Sequence, residues 1–178
     1  MGTFAIQIAK WLGAEVTTTA SPRGKGLVER LGADVVIDYT TQRFEDHVRD
    51  MDGVFDLLGG DTLTKSFSVV KPGAMVVSIA GMPEPATAQK DLKRGLGLTA
   101  LFWLASFGLR RSAKRHNARY RYLFMHPSGA ELAELARLIE SGTLTPIIDR
   151  VFPFAEINDA FAYLETGRAK GKVIVTMV

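Results

Sequence analysis

The chain has 178 residues, 47% of them hydrophobic and 23% charged, a globular composition of single-domain size that excludes a disordered or fibrous polymer. It contains no cysteine, which excludes a disulfide framework and a thiolate zinc site. The net charge of +3 is too small to mark a nucleic-acid binder, and the first residues carry no leader-like apolar block, so a cytoplasmic protein without a nucleic-acid partner is expected.

Phe4, Ile8, Trp11 and Leu12 fall at helical spacing and predict an amphipathic helix closed by Gly13. The β-branched run from Glu15 to Thr19 predicts a strand. Ser21 can cap and Pro22 suits a first helical turn, so a second helix is expected up to Leu31. Val35 to Asp38 is the next strand, Arg43 to Met51 a short helix, and Val54 to Leu58 a buried strand stopped by Gly59 and Gly60. Thr62 to Val70 is helical, and Ala74 to Ile79 is a strand after the Pro72-Gly73 turn. Short apolar strands alternating with helices argue for an α/β fold, a parallel sheet covered on both faces.

The rhythm breaks after Gly81. Leu96 to Leu109 is almost wholly apolar but too short to span a bilayer. Arg110, Arg111, Lys114, Arg115, Arg119 and Arg121 follow at once, and without them the chain would be mildly acidic. Two readings stand. One is a helix lining or lidding a lipophilic substrate cleft, with the basic stretch solvated. The other is a peripheral membrane contact through residues 96–121.

Arg121 to Met125 is expected as a strand. Ser128 and Glu131 form a capping box before a helix whose buried stripe would be Leu132, Leu135, Leu138 and Ile139. Pro146 to Phe152 is extended, Ala155 to Glu165 is a helix with Ile157, Phe161 and Leu164 inward, and Lys172 to Val178 is the last strand. His47, His116 and His126 lack metal-ligand spacing, and no nucleophile–base pair stands out. No metal site and no catalytic residue is therefore assigned.

Taken in order, several stretches resemble the medium-chain dehydrogenase/reductase superfamily, in its zinc-independent quinone oxidoreductase-like branch. They are Gly2 to Lys10 with Gly13-Ala14, Leu31-Gly32-Ala33-Asp34-Val35-Val36-Ile37-Asp38-Tyr39, Phe55-Asp56-Leu57-Leu58-Gly59-Gly60, Val70-Lys71-Pro72-Gly73 and Gly171-Lys172-Val173-Ile174-Val175. The resemblance implies a Rossmann-like doubly wound parallel sheet, truncated so that its first strand and an N-terminal catalytic domain are absent. Residues 1–142 would be a partial NADP-binding domain with an apolar and basic insertion at about 83–121. Residues 143–178 would pack on the catalytic domain. Met1 stands where valine is usual. Without a central strand the isolated chain is expected to fold poorly and to be inactive.

The resemblance also assigns cofactor contacts. Gly2 and Thr3 would hold the pyrophosphate at a helix N-terminus. The second strand of such a fold normally ends in an acid that takes the ribose hydroxyls of NAD. This chain has Ala20-Ser21 there, followed by Arg23 and Lys25, a set suited to a 2′-phosphate and hence to NADP. Tyr39 matches a position beside the adenosine. Gly59 and Gly60 lie at the carboxyl end of a strand, where open α/β sheets bind ligands. Ser78, Ile79 and Ala80 match positions beside the nicotinamide ribose. Leu123, Phe124 and Met125 match a strand end near the nicotinamide, and Lys170 and Gly171 match a cofactor-proximal turn. The implied activity is hydride transfer from NADPH to a quinone or an α,β-unsaturated carbonyl, or an alcohol–aldehyde interconversion, on a small lipophilic substrate, in a chain that could be a homo-oligomer. The alternative is a non-catalytic nucleotide-binding or membrane-surface module.

Overall fold

Among the described residues every strand pairing is parallel. The structure, a computed structural model, describes residues 1–177. Its contacts divide into two units, residues 1–42 with 128–178, and residues 43–127.

The first unit begins with helix α1 (Gly2–Trp11), whose buried residues are Ile6 and Gln7. Trp11 and Leu12, on the apolar stripe that the spacing predicts, are exposed. The inward face is set by Gln7 instead. Its Nε2 donates to the carbonyls of Thr3 and Thr145, and its Oε1 accepts from the Thr145 N–H at 2.7 Å. Gly13, at φ +83°, ends the helix as the sequence implies. Strand β1 (Thr17–Ala20) pairs with β2 (Val35–Asp38), joined by α2 (Pro22–Arg30). Lys10 ties α1 to the start of β2 through Asp34, at 2.8 Å, and Asp34 also accepts from the Val16 N–H.

The same unit resumes with α7 (Gly129–Glu140), capped by Ser128, whose hydroxyl oxygen accepts from the Glu131 N–H. Only Leu138 of its expected stripe is buried; Leu132, Leu135 and Ile139 are exposed. Strand β6 (Ile148–Pro153) pairs with β7 (Lys172–Thr176), with α8 (Ile157–Glu165) between them. On α8 the inward residues are Ala160 and, half-buried, Ile157 and Tyr163, while Phe161 and Leu164 are exposed. Tyr163 fixes that rotation. Its hydroxyl donates to Asp149, and Arg150 lies over its ring at 4.1 Å. Val178, the expected end of the last strand, lies outside the described residues.

The second unit is continuous in sequence and holds the largest fully buried side chains, Leu63 and Phe67. Its sheet has the order β3–β4–β5, from β3 (Met51–Asp56), β4 (Val70–Ser78) and β5 (Arg119–Tyr122). Helix α3 (Phe44–His47) is shorter than expected. Asp50 turns the chain at φ +56°, and the Met51 N–H already donates to Val69, which draws Met51 into the sheet. Helix α4 (Gly60–Ser66) stops before Val70 for the same reason. The apolar run forms two helices, α5 (Leu96–Ala105) and α6 (Phe107–Arg115), broken at the buried Ser106. Phe67 meets Tyr120 edge-to-face at 6.0 Å.

Strand β5 ends at Tyr122, three residues earlier than expected. Its last partner is Ser78, the end of β4, and the Leu123 N–H closes the ladder on the Ser78 carbonyl. Phe124 and Met125 therefore follow the strand rather than end it. Among the described residues β1 pairs only with β2, and β3 only with β4, so each leaves one edge open.

Candidate nucleotide-binding site

In the first unit Ser21 and Tyr39 directly follow the paired strands β1 and β2, Gly2 and Thr3 head α1, and Lys170 and Gly171 precede β7. Helix α1 opens with no acidic residue in its first turn and no side-chain cap. The N–H groups of Phe4 and Ala5 return to Met1, while Gly2 and Thr3 head the helix. An uncapped, acid-free helix start presents N–H donors and the positive end of the dipole to an anion.

Helix α2 starts directly after β1 in the same way. Ser21 is extended at its N-cap but uses no side-chain hydrogen bond there, and the first turn holds no acid. Arg23 and Lys25 are exposed on that turn. Arg23 has no carboxylate partner among the described residues, and Lys25 makes only a loose contact with Glu29 at 3.8 Å, which contributes little at an exposed site. Lys170 arrives from the turn before β7, and its Nζ donates to the Arg23 carbonyl at 2.6 Å. This bond brings a third cation to the start of α2. Gly171 has a packing reason of its own, since a Cβ there would strike the Ile147 carbonyl.

One residue missed by sequence reasoning belongs to this group. No acid follows β1 in the chain, but the register sets Asp38 level with Ala20 across the pair. Its carboxylate accepts from the Thr40 hydroxyl at 2.7 Å and the Thr40 N–H at 2.9 Å. Those two bonds, with Lys25 adding a weaker attraction, hold its pKa below the usual carboxylate range. A 2′-phosphate at Arg23 and Lys25 would therefore meet a negative charge that sequence order hides. Tyr39 follows Asp38 and is exposed.

The second unit has its own strand-end cluster, again built around an aspartate that sequence reasoning passed over. Asp56 ends β3 and is 4% exposed. It accepts from the N–H groups of Leu58 and Gly59 and, at 2.6 Å, from the Ser78 hydroxyl. Ser78 oxygen in turn accepts from the Ala80 N–H, and the Ile79 N–H donates to the Asp56 carbonyl. Gly59, Ser78, Ile79 and Ala80 thus form one hydrogen-bonded unit joining two strand ends. Gly59 lies at φ +72°, ψ −159°, a region essentially restricted to glycine, and a Cβ there would sit 2.5 Å from the Ala80 oxygen. Gly60 has a positive φ but open space around it.

Phe124 and Met125 line a separate open cavity of about 510 Å³ with Lys90, Asp91, His126 and Pro127. Beside it Arg121 is held by Asp91, at 2.6 Å, and by the buried Glu84. Both carboxylates favour its charge and raise its pKa against the opposing effect of burial. Arg121 is accordingly an internal strut, not part of a solvated basic run.

A family model described as zinc-binding dehydrogenase matches residues 31–175. The mitochondrial NAD(P)H oxidoreductase RTN4IP1 of Mus musculus is 36% identical over 186 aligned residues, covering all of this chain and 46% of that protein. The chloroplastic NADPH-dependent alkenal/one oxidoreductase of Arabidopsis thaliana is 33% identical, covering 98% of this chain and 37% of that one. The quinone oxidoreductase of Coxiella burnetii superposes with a TM-score of 0.80 at 28% identity, over 99% of this chain and 49% of that structure. The chain thus spans about half the length, or less, of the relatives it matches. The family description implies zinc, but this chain has no cysteine, and no three His, Asp or Glu side chains converge among the described residues, so they do not fit such a site. An acid-free helix start after a parallel strand, a glycine-only turn at a second strand end and a match over most of the sequence agree that this chain belongs to the zinc-binding dehydrogenase family, within the medium-chain dehydrogenase/reductase superfamily.

Proposed function

We propose that the chain is the nucleotide-binding part of an NADP-dependent oxidoreductase that reduces quinones or α,β-unsaturated carbonyl compounds. The observation that carries this reading is the cationic, acid-free start of α2 beside the end of β1. The relatives, an NADPH-dependent alkenal/one oxidoreductase and a quinone oxidoreductase among them, support the substrate class.

When bound, NADPH supplies the hydride. The protein's part is to bind and orient it. Arg23 offers a planar fork to a phosphate, Ser21 a hydroxyl donor and Lys25 a mobile point charge. Lys170, anchored on the Arg23 carbonyl, fixes the backbone from which Arg23 projects. The start of α1 at Gly2 and Thr3 suits the pyrophosphate. In the second unit the Asp56–Ser78 pair holds Gly59 and Ala80 in place at a strand end, the kind of position at which open α/β sheets bind ligands.

Titration of the chain with NADPH and NADH tests the cofactor. Hydrogen bonds to charged groups contribute roughly 1.5–3 kcal/mol each, so R23A/K25A, which removes two such partners, should weaken NADPH binding by about 150-fold or more while NADH is little changed. Asp38→Asn should tighten NADPH. Equal affinity for the two cofactors, or indifference to R23A/K25A, would overturn the NADP assignment. For the substrate, NADPH oxidation with a benzoquinone and a short enone is the assay. Turnover of simple alcohols with neither of these reduced would reject it.

A further inference from the structure

Helices α5 and α6 carry a surface that nucleotide binding does not use. On α5 the side chains of Leu96, Leu101, Trp103 and Leu104 are exposed, and Phe107 continues the patch onto α6; Leu96 is 85% exposed and Leu104 65%. No residue of α5 is buried. Contiguous exposed apolar surface of this kind marks an interaction site. The helix is about 15 Å long, half a bilayer core, and no described helix is long and apolar enough to cross a membrane.

The charge beside the patch identifies what covers it. Arg111, Lys114 and Arg115 are exposed on α6 and lie at helical spacing from Phe107. Arg110 sits over the Trp103 ring at 5.2 Å, and its Nη2 donates to the Trp103 carbonyl, which locks the tryptophan beside the cations. None of these four, nor Lys93 or Arg94 just before α5, has a carboxylate within 4.0 Å among the described residues. From Leu92 to Ala130 the sequence has no Asp or Glu at all. A second copy of the chain would bring the same positive charge to a two-fold contact and be repelled. An apolar knuckle with an amphipathic tryptophan, flanked by uncompensated Lys and Arg, matches a negatively charged lipid surface.

The geometry points to residues 96–115 as a peripheral membrane-docking element for anionic phospholipid. Leu96, Leu101, Trp103, Leu104 and Phe107 enter the headgroup–acyl boundary, and Arg111, Lys114 and Arg115 meet the phosphates. The inference does not depend on the proposed redox activity.

The test is vesicle sedimentation of the full chain, with Trp11→Phe so that Trp103 is the only tryptophan. Vesicles of phosphatidylcholine alone and of phosphatidylcholine with phosphatidylserine are compared. Binding is expected only with phosphatidylserine, weakened by added salt and accompanied by a blue shift of Trp103 emission. Each cation near an anionic surface is worth about fivefold in partitioning, so Arg111→Gln, Lys114→Gln and Arg115→Gln together should lower it by roughly 150-fold. Leu101→Ser with Leu104→Ser, both at exposed positions, should reduce binding and remove the blue shift with the helical circular dichroism intact. Absence of binding to phosphatidylserine vesicles, or binding unchanged in the triple neutralised variant, overturns the inference. So does a blue shift that appears on self-association without lipid, because the face then belongs to a second copy.

Discussion

Removing Asp56 tests the strand-end cluster most directly. The carboxylate is buried and receives Leu58 N–H, Gly59 N–H and the fully buried Ser78 hydroxyl. In Asp56→Ala at least the Gly59 N–H and the Ser78 hydroxyl lose their acceptor. At roughly 1–3 kcal/mol per buried unsatisfied group, the expected loss is about 4 kcal/mol. Ser78→Ala removes one donor to the carboxylate, about 1.5–3 kcal/mol, and the acceptor of the Ala80 N–H, about 1 kcal/mol, so about 2.5–4 kcal/mol is expected. In the double variant the second change should cost only about 1 kcal/mol, for the Ala80 N–H bond, because the hydroxyl's donation to Asp56 is already lost. The coupling between the two sites should therefore be about 1.5–3 kcal/mol. Urea unfolding followed by Trp103 fluorescence, in a Trp11→Phe background, reads the second unit, which contains Asp56, Ser78 and Trp103. Effects that add to within about 0.5 kcal/mol would refute the reasoning, since they would show that the two side chains do not share an interaction.

Gly59→Ala should destabilise the second unit by about 2 kcal/mol or more, because backbone conformation and the Ala80 oxygen both oppose a side chain, whereas Gly60→Ala should cost about 1–2 kcal/mol from its positive φ alone; urea midpoints compare them. Gln7→Leu leaves the Thr145 N–H without an acceptor and should cost about 1–3 kcal/mol, read by thermal melting of the chain. Glu45 is held down to about 2 from an ordinary value of 4.5, first by its own backbone N–H and then by Lys65 and Arg43. A depressed carboxylate stabilises the fold above its unfolded pKa and loses that contribution as pH falls through its folded value. Stability should thus decline between about pH 4.5 and 2, and Glu45→Gln should flatten that stretch of the melting-temperature profile. An unchanged slope in the variant would mean Glu45 is not the group responsible.

The order of helices and strands was readable because short β-branched runs and glycine stops are local signals. Positive-φ glycines at Gly13, Gly32 and Gly142 end helices where the pattern places them. Strand ends were less readable. Met51 joins β3 because Val69 and Val70 are there to pair with it, and β5 stops at Tyr122 because β4 stops at Ser78. Pairing partners set those limits, and no window of sequence contains both. Periodicity also says which helix face is apolar without saying what covers it, so Leu132, Leu135, Ile139 and Phe161 are exposed despite their spacing. At the candidate site, Arg23 and Lys25 were legible from the missing acid after β1. Asp38 and Asp56 were not, although both are aspartates at strand ends that accept an N–H two residues on. That turn signature was available in the sequence and is the signal that would have found them.

The division of the chain into a continuous unit and a discontinuous one has a consequence for synthesis on the ribosome. Every strand partner within residues 43–127 has been made before Ser128 is added, so that unit can close while translation continues. The first unit cannot. Gln7 waits for Thr145, 138 residues later, and β6 waits for β7. At about 5–20 residues per second this is a delay of roughly 7–28 seconds, during which α1 can meet Asp34 but not Thr145. A slower elongation rate lengthens in proportion the interval in which the Gln7 amide is without its Thr145 partners.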